Sequence, residues 1–154
     1  MRKGDRVPDF ELPDQDGNAR RLSTLLEGGP MALFFYPGAM TSGCTKESCR
    51  FRDLGVEFAE VGAQRVGISA DAIAKQKEFA ETHSFDYPLL SDLDGAVATL
   101  FGVKRRFGPL PVKRKTFLID TDRTVMAVIS SEFNMDIHAD EALRALTEAR
   151  STSH

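Results

Sequence analysis

The chain has 154 residues, a length typical of one domain with a continuous core. Its 42% hydrophobic and 28% charged residues are ordinary for a globular protein, and its net charge of −3 argues against a dedicated nucleic-acid binder. No apolar run approaches the roughly 20 residues of a membrane-crossing helix, and the N-terminal segment lacks a signal peptide's apolar core. The sequence therefore predicts a single cytoplasmic domain, residues 1–154, with neither a membrane nor a nucleic acid as partner.

The first third of the chain predicts a short hairpin followed by a buried strand. Asp16-Gly17 marks a turn between two short extended pieces, and Ser23 is expected to cap a single helical turn. Residues 28–30, Gly-Gly-Pro, end this opening. The run "MALFFY" at 31–36 is almost entirely apolar and rich in aromatics, which indicates a buried strand.

The middle of the chain alternates between helical and extended patterns. After a loop at 37–43, apolar residues at three- and four-residue steps predict a helix from about 44 to 61. Residues 64–70 predict the next strand, and 71–83 predict a helix that begins at Asp71.

The last third adds a hairpin and a final helix to this pattern. The predicted elements are a short strand at 87–92, a short helix at 94–102 closed by Gly102, strands at 115–120 and 124–130, and an amphipathic helix at 136–151 with Ile137, Leu143 and Leu146 facing inward. Alternating strands and helices followed by a hairpin indicate an α/β sandwich with a mixed sheet. This is the element order of a thioredoxin-like fold with an added N-terminal β-hairpin.

The chain has two cysteines, Cys44 and Cys49, just after the apolar strand. In a reducing compartment they are either buried core thiols or a transiently oxidised pair. A strand–loop–helix geometry places Cys44 in or near the first helical turn, where unpaired N–H groups and the helix dipole favour a thiolate. Thr41 can offer a hydroxyl to the sulfur and to a molecule beside it. Pro37 stiffens the loop and can shield the sulfur from water.

These residues carry a resemblance to a known family. Pro37-x-x-x-Thr41-x-x-Cys44 resembles the Pro-x-x-x-Thr-x-x-Cys motif of the peroxiredoxins. The longer stretch "FFYPGAMTSGCTKESCRFRD" is similar to the bacterioferritin-comigratory-protein, or peroxiredoxin Q, subgroup. The similarity extends over nearly the whole chain and includes "GDRVPDFELPDQDG", "GISAD", "YPLLSD" and "RKTFLID".

The resemblance implies a thiol peroxidase that reduces hydrogen peroxide and organic hydroperoxides, in antioxidant defence and cell redox homeostasis. Cys44 would be the peroxidatic cysteine, whose thiolate attacks the O–O bond and becomes a sulfenic acid. Thr41 would hydrogen-bond to the substrate oxygen near the sulfur. The family's active-site arginine corresponds to Arg114, whose permanent charge would stabilise the thiolate and the departing oxygen. No metal or organic cofactor is implied, because sulfur supplies the electrons.

Arg114 lies among six basic residues, most of which are expected to be solvated: Lys104, Arg105, Arg106, Lys113, Arg114 and Lys115. Only Arg114 matches a motif, although residues 107–112 depart from the subgroup's pattern and leave Arg106 as a competitor for the role. Glu47, in "CTKE", either orients an arginine or the helix start, or is an exposed helical glutamate.

The spacing of the two cysteines is too long for a disulfide in an intact helix. Five residues give about 7.5 Å of rise and about 140° of rotation, which separates the two Cα atoms by roughly 8.7 Å. A disulfide generally needs less than about 7 Å. Either Cys49 is inert, or the first turn of the helix opens after Cys44 is oxidised.

The resemblance favours opening of the helix. Many members of the subgroup resolve the sulfenic acid with a cysteine five residues on, as atypical 2-Cys enzymes. Cys49 would be this resolving cysteine, and the Cys44–Cys49 disulfide would then be reduced by thioredoxin or another dithiol donor. An intramolecular disulfide needs no partner subunit, so the sequence favours a monomer.

Three other functions use similar residues. A thiol–disulfide oxidoreductase requires Cys-x-x-Cys, whereas residues 44–47 read Cys-Thr-Lys-Glu. A metal site built from the thiols and histidines lacks ligand-pair spacing, with His83 and His138 expected on helix surfaces and His154 at a disordered end. A peroxide-sensing switch that signals through the same disulfide stays open as the alternative, because its chemistry is the same.

Overall fold

The computed structural model describes residues 1–105, 111–131 and 136–152, with side chains through residue 149. Arg106, His154 and most of the divergent 107–112 segment therefore lie outside the described residues. The helices and strands are, in chain order, β1 Glu11–Pro13, β2 Ala19–Arg21, α1 Leu22–Leu25, a 3-10 turn Leu26–Gly28, β3 Met31–Phe35, α2 Ser42–Asp53, α3 Gly55–Glu60, β4 Gln64–Ser69, α4 Ile73–His83, β5 Leu89–Ser91, α5 Ala96–Phe101, β6 Lys115–Ile119, β7 Val125–Ser130 and α6 Ile137–Thr152.

Five strands form one mixed sheet in the order β5-β4-β3-β6-β7, and β1 and β2 form a separate hairpin. Strand β3 pairs parallel with β4 and antiparallel with β6. This arrangement confirms the predicted thioredoxin-like mixed sheet with an N-terminal hairpin. The β3–β6 register pairs Phe35 with Lys115, so the start of β6 lies beside the end of β3. That register brings Arg114 next to the loop that leads to Cys44.

Strand β3 is buried on both faces of the sheet. Successive strand side chains point to opposite faces, so Leu33 and Phe35 enter one apolar cluster while Phe34 and Tyr36 enter the other. Phe34 stacks on Phe51 of α2 with ring centroids 4.2 Å apart. Strand β3, with its near-continuous apolar sequence, is therefore the strand on which the cysteine-bearing helix α2 packs.

The helix predicted from 44 to 61 is two helices. Helix α2 begins two residues earlier, at Ser42, and the chain leaves helical geometry at Leu54 before α3 starts at Gly55. Phe51 of α2 and Phe58 of α3 are both buried in the core, and their ring centroids lie 5.8 Å apart. The apolar spacing predicted helix correctly and missed the bend.

Two predicted helix starts are wrong. Ser23 lies inside α1 and does not cap it; the Asp9 carboxylate instead accepts both the amide and the hydroxyl of Ser23, at 2.9 and 2.7 Å. Helix α4 begins at Ile73, so Asp71 precedes it by two residues and binds the loop before α2. Gly102 closes α5 as predicted, with φ +74°.

The C-terminal helix is present as predicted, but its inward face differs in part. Leu146 is buried, whereas Ile137 and Leu143 are only partly covered. Its other buried residues are His138, Ala139 and Ala142. The expectation of a surface His138 is wrong, because α6 packs on β6 and β7 and buries that ring completely. Across the residues that the structure describes, no helix is both long and apolar enough to cross a bilayer.

Candidate active site

The site forms where the loop after β3, the first turn of α2 and the start of β6 meet. Thr41 is extended, with φ −85° and ψ 153°, and immediately precedes α2. Cys44 is the third residue of the helix and is 1% exposed. Its sulfur is therefore in the first helical turn, as predicted, where backbone N–H groups lack intrahelical partners.

Arg114 contacts both Cys44 and Glu47. Its Nη2 donates to Cys44 Sγ at 3.2 Å, and its Nη1 donates to Glu47 Oε1 at 3.3 Å. Arg114 is 7% exposed and Glu47 is fully buried. Cys44 and Glu47 share one helix face because they are three residues apart, so one guanidinium reaches both. Arg114 points inward as expected, and the alternative of an exposed Glu47 is wrong.

The charges around Arg114 keep it cationic. Burial by itself lowers the pKa of Arg114, because a charged group loses its hydration. The electrostatic and hydrogen-bond interactions with Glu47 and Cys44 outweigh burial and leave the Arg114 pKa above its ordinary value. The sulfur therefore faces a fixed positive charge that is held in place by a buried carboxylate.

His138 and Thr116 extend this cluster and were missed from the sequence. His138 Nδ1 lies 2.9 Å from Thr116 Oγ1, while Nε2 lies 2.8 Å from the Ser131 carbonyl and 3.5 Å from Glu47 Oε2. Glu47 thus lies between Arg114 and an imidazole. One signal was available: His138, Ala142 and Leu146 recur every four residues, which places His138 on the buried stripe of α6.

Pro37 and Thr41 lie in the same loop, between β3 and the start of α2. Pro37 is half-buried and Thr41 is exposed. Thr41 Oγ1 donates its proton to the Gly38 carbonyl at 2.8 Å. Met40 has φ +66°, a left-handed conformation that is unfavourable for a residue with a Cβ. The loop therefore adopts a conformation that its sequence alone does not favour.

Cys49 occupies a different environment within the same helix. Both cysteines are free, and Cys49 is only partly buried. Burial raises the pKa of Cys49, with Arg52 acting in the lowering direction and Asp53 in the raising direction. Because α2 is continuous from Ser42 to Asp53, the helical spacing that prevents a Cys44–Cys49 bond applies to this conformation.

Within the described residues, no three His, Cys, Asp or Glu side chains come together in a way that would hold a metal ion. The chemistry on view is that of a buried sulfur beside a cation.

Comparison with known proteins places this geometry among thiol peroxidases. The AhpC/TSA family matches residues 3–128. A putative peroxiredoxin of Mycobacterium tuberculosis is 66% identical over 153 residues, covering 98% of this chain and 99% of that protein. The crystal structure of peroxidoxin BcpB from Mycobacterium tuberculosis has a TM-score of 0.92 at 66% identity, covering 96% and 97% of the two chains. A structure of Xanthomonas campestris bacterioferritin comigratory protein, studied for alkyl peroxide reduction, has a TM-score of 0.83 at 29% identity, covering 92% of each chain.

Proposed function

Because the chain belongs to the AhpC/TSA family, in its bacterioferritin-comigratory-protein and peroxiredoxin Q branch, and is a thiol peroxidase, we propose the following cycle. A sulfenic acid forms on Cys44 when it reduces hydrogen peroxide or an organic hydroperoxide. A transient Cys44–Cys49 disulfide follows, and thioredoxin reduces it. The observation that supports this best is the 3.2 Å contact between Arg114 Nη2 and the buried Cys44 sulfur.

The first step transfers one oxygen atom to sulfur. The Cys44 thiolate attacks one peroxide oxygen, an S–O bond forms as the O–O bond breaks, and sulfur is oxidised to the sulfenic acid. The other oxygen leaves with the bonding electrons and takes up a proton as water or an alcohol. Arg114 lies where it can donate to the departing oxygen, at which negative charge develops.

Thr41 and Pro37 act on the substrate side of this step. The Thr41 hydroxyl already donates to the Gly38 carbonyl, so the lone pairs of its oxygen remain free to accept a hydrogen bond from the peroxide O–H. That acceptance aligns the O–O bond with the sulfur. Pro37, half-buried in this loop, limits access of water to the sulfur.

The second step needs helix α2 to open. Cys49 attacks the sulfenic sulfur, an S–S bond forms, and water leaves with the hydroxyl oxygen. The contacts that hold the closed helix include two near Cys49: Arg50 pairs with Asp140 of α6 at 2.7 Å, and Tyr87 donates to the Ser48 carbonyl at 2.6 Å. Opening removes these contacts and also the burial that raises the Cys49 pKa, so the resolving thiol becomes reactive when it becomes mobile.

The third step is thiol–disulfide exchange with a dithiol donor, for which thioredoxin is the proposed partner. A reducing compartment such as the cytoplasm supplies this donor. The disulfide forms within one chain, so the cycle needs no second copy of this protein.

Mass spectrometry after one equivalent of peroxide tests the cycle. We expect the wild-type chain to lose two hydrogens, assigned to a crosslink between the peptides that contain Cys44 and Cys49. Cys44→Ser should show neither the crosslink nor peroxide consumption. Peroxide consumption by Cys44→Ser at the wild-type rate would refute the assignment. Turnover of excess peroxide with thioredoxin distinguishes the peroxidase from a sensing switch, which need not turn over.

A further inference from the structure

The peptide group between Gly38 and Ala39 is held at both of its polar ends. Its N–H, on Ala39, donates to Asp71 Oδ2 at 2.7 Å. Its carbonyl oxygen, on Gly38, accepts a hydrogen bond from Thr41 Oγ1 at 2.8 Å. Because a peptide group is planar, fixing the N–H direction also fixes the carbonyl direction. A carboxylate from the β4–α4 connection therefore controls where the Thr41 hydroxyl points.

The Asp71 carboxylate is itself fixed by a buried network. The Ser69 hydroxyl donates to Asp71 Oδ2 at 2.7 Å and accepts from the Asp71 amide at 3.2 Å. Gln76 Nε2 donates to Ser69 Oγ and to the Leu90 carbonyl, both at 2.9 Å. The Tyr36 hydroxyl donates to Gln76 Oε1 at 2.5 Å, and Tyr36 and Gln76 are fully buried. Each polar hydrogen in this network already donates a hydrogen bond, so the orientation of the Asp71 carboxylate is fixed.

The loop needs such an anchor. Met40 lies between Ala39 and Thr41 with φ +66°, a left-handed backbone conformation that is unfavourable for a residue with a Cβ. Met40 is also 40% exposed, so burial of its own side chain contributes little to holding this shape. The hydrogen bonds to the neighbouring peptide group are what oppose relaxation of the loop.

We propose that Asp71 is a positioning residue for the peroxidase reaction and acts on Thr41 through the Gly38–Ala39 peptide group. The inference rests on the proposed function, because it assigns Asp71 a part in the Cys44 oxidation step. The negative charge of Asp71 strengthens the pull on the Ala39 N–H and makes the Gly38 carbonyl a better acceptor. The Thr41 hydroxyl is thereby kept donating to the Gly38 carbonyl, and the lone pairs of Thr41 Oγ1 stay directed to the peroxide. Without the carboxylate the peptide group rotates, and the hydroxyl proton can turn toward substrate or sulfur.

A double-mutant cycle tests this coupling on the rate at which peroxide oxidises Cys44 in a single turnover. Asp71→Ala should lower the second-order rate constant about tenfold, the size expected for one charge-assisted hydrogen bond. Asp71→Asn keeps an acceptor oxygen for the Ala39 N–H and should lose less. In a Thr41→Val background, Asp71→Ala should cost less than about twofold, because its target is gone.

Two further measurements exclude a general structural effect. Alkylation of Cys44 by iodoacetamide does not require Thr41 to accept a hydrogen bond from the reagent. The alkylation rate should therefore stay within about twofold in Asp71→Ala. Hydrogen exchange at the Ala39 amide should speed up in that variant while exchange in the sheet core is unchanged. Asp122→Ala is the matched control: Asp122 accepts the Thr124 amide at 3.0 Å in the β6–β7 turn, which lies at the opposite end of the sheet's strands from Asp71.

The outcomes separate the inference from the proposed function. If wild-type Cys44 is oxidised by peroxide and Asp71→Ala costs the same factor with or without the Thr41 hydroxyl, the inference is overturned alone. An unchanged Ala39 exchange rate in Asp71→Ala overturns it as well. If peroxide does not oxidise Cys44 in the wild-type chain, the proposed function fails and the inference fails with it. If Asp71→Ala does not fold, Asp71→Asn carries the same cycle.

Discussion

The two ends of helix α2 hold the same chemical group in opposite settings. Cys44, in the first turn, is buried against a guanidinium that a buried carboxylate holds in place. Cys49, about one turn from the C-terminal end of the helix, is half-buried, and burial raises its pKa. Among the described residues, no buried carboxylate holds a cation against its sulfur. The difference shows that neighbours from distant segments, rather than the thiols themselves, divide the proposed roles of attack and resolution.

Removing the second thiol should have the largest effect on turnover. In Cys49→Ser the first oxidation of Cys44 should proceed within about twofold of the wild-type rate, because nothing around the sulfur changes. Steady-state peroxide reduction with thioredoxin should be lost, since no intramolecular disulfide can form. Stopped-flow oxidation and a coupled thioredoxin assay measure the two steps separately. Normal turnover in the variant would show that Cys49 is not the resolving cysteine.

Changing the guanidinium should break the Cys44 side of the comparison. Arg114→Lys keeps the charge but loses the fork that reaches both Cys44 and Glu47. The rate of Cys44 oxidation by peroxide should fall roughly 100-fold, a typical loss when a donor to developing charge is removed. Arg144→Lys, on the exposed face of α6, is the control and should leave the rate unchanged. Equal rates in the two variants would contradict a role for Arg114 at the sulfur.

Glu47 should matter less than the arginine that it holds. Glu47→Gln keeps the shape but removes the charge opposite Arg114 Nη1. We expect about a tenfold lower rate of Cys44 oxidation, the free-energy scale of one charge-assisted hydrogen bond. Glu57→Gln, exposed on α3, supplies the control. A Glu47→Gln chain as fast as that control would mean that Arg114 is positioned without the carboxylate.

The Cys49 end can be probed by pH. In Cys44→Ser, alkylation of Cys49 by iodoacetamide should reach half its maximal rate at a higher pH than in the denatured chain, because burial disfavours the thiolate and raises the pKa of Cys49. A raised pKa contributes to folding stability below the unfolded-state pKa, and that contribution is lost as pH rises through the folded-state pKa. The denatured chain is the reference, and a midpoint at or below its own would contradict the assigned environment.

The smallest effect should come from the ion pair that holds α2 to α6. Arg50 and Asp140 are both partly exposed, so their pairing is worth at most about 1 kcal/mol. Asp140→Asn should ease opening of α2 and speed disulfide formation about twofold after Cys44 is oxidised. Quenched-flow trapping of the free thiols measures this step. Slower disulfide formation in Asp140→Asn would indicate that the pair assists opening.

Much of the fold was predictable because its signals are local. The apolar run of β3, the turn at Asp16-Gly17 and the Gly102 helix end each depend on neighbouring residues, and each is found as predicted. Ser23 and Asp71 were wrongly predicted to begin helices because their side-chain hydrogen bonds are not local. Their side chains bind partners on other segments, Asp9 for Ser23 and the Ala39 amide for Asp71.

The site residues also differ in how far they could be predicted from neighbouring residues in the chain. Pro37, Thr41 and Cys44 lie within eight residues, so a motif places them together on one loop and helix start. Glu47 was left open because burial of a helical glutamate depends on a cation 67 residues away. His138 was predicted on the surface because its partner, Thr116, belongs to a strand that the helix covers only in the folded chain.

The sequence by itself determined the order of strands and helices, the position of Cys44 at a helix start, and the spacing that prevents a Cys44–Cys49 bond in the closed helix. Those features depend on backbone geometry and on residues near in the chain. Only the tertiary structure decided which charges surround each sulfur. It also decided that Asp71 and Thr41 hydrogen-bond to the same peptide group, between Gly38 and Ala39. The physical reason is that a buried charge is tolerated only where a partner meets it, and the β3–β6 register and the packing of α2, α4 and α6 decide which partners meet.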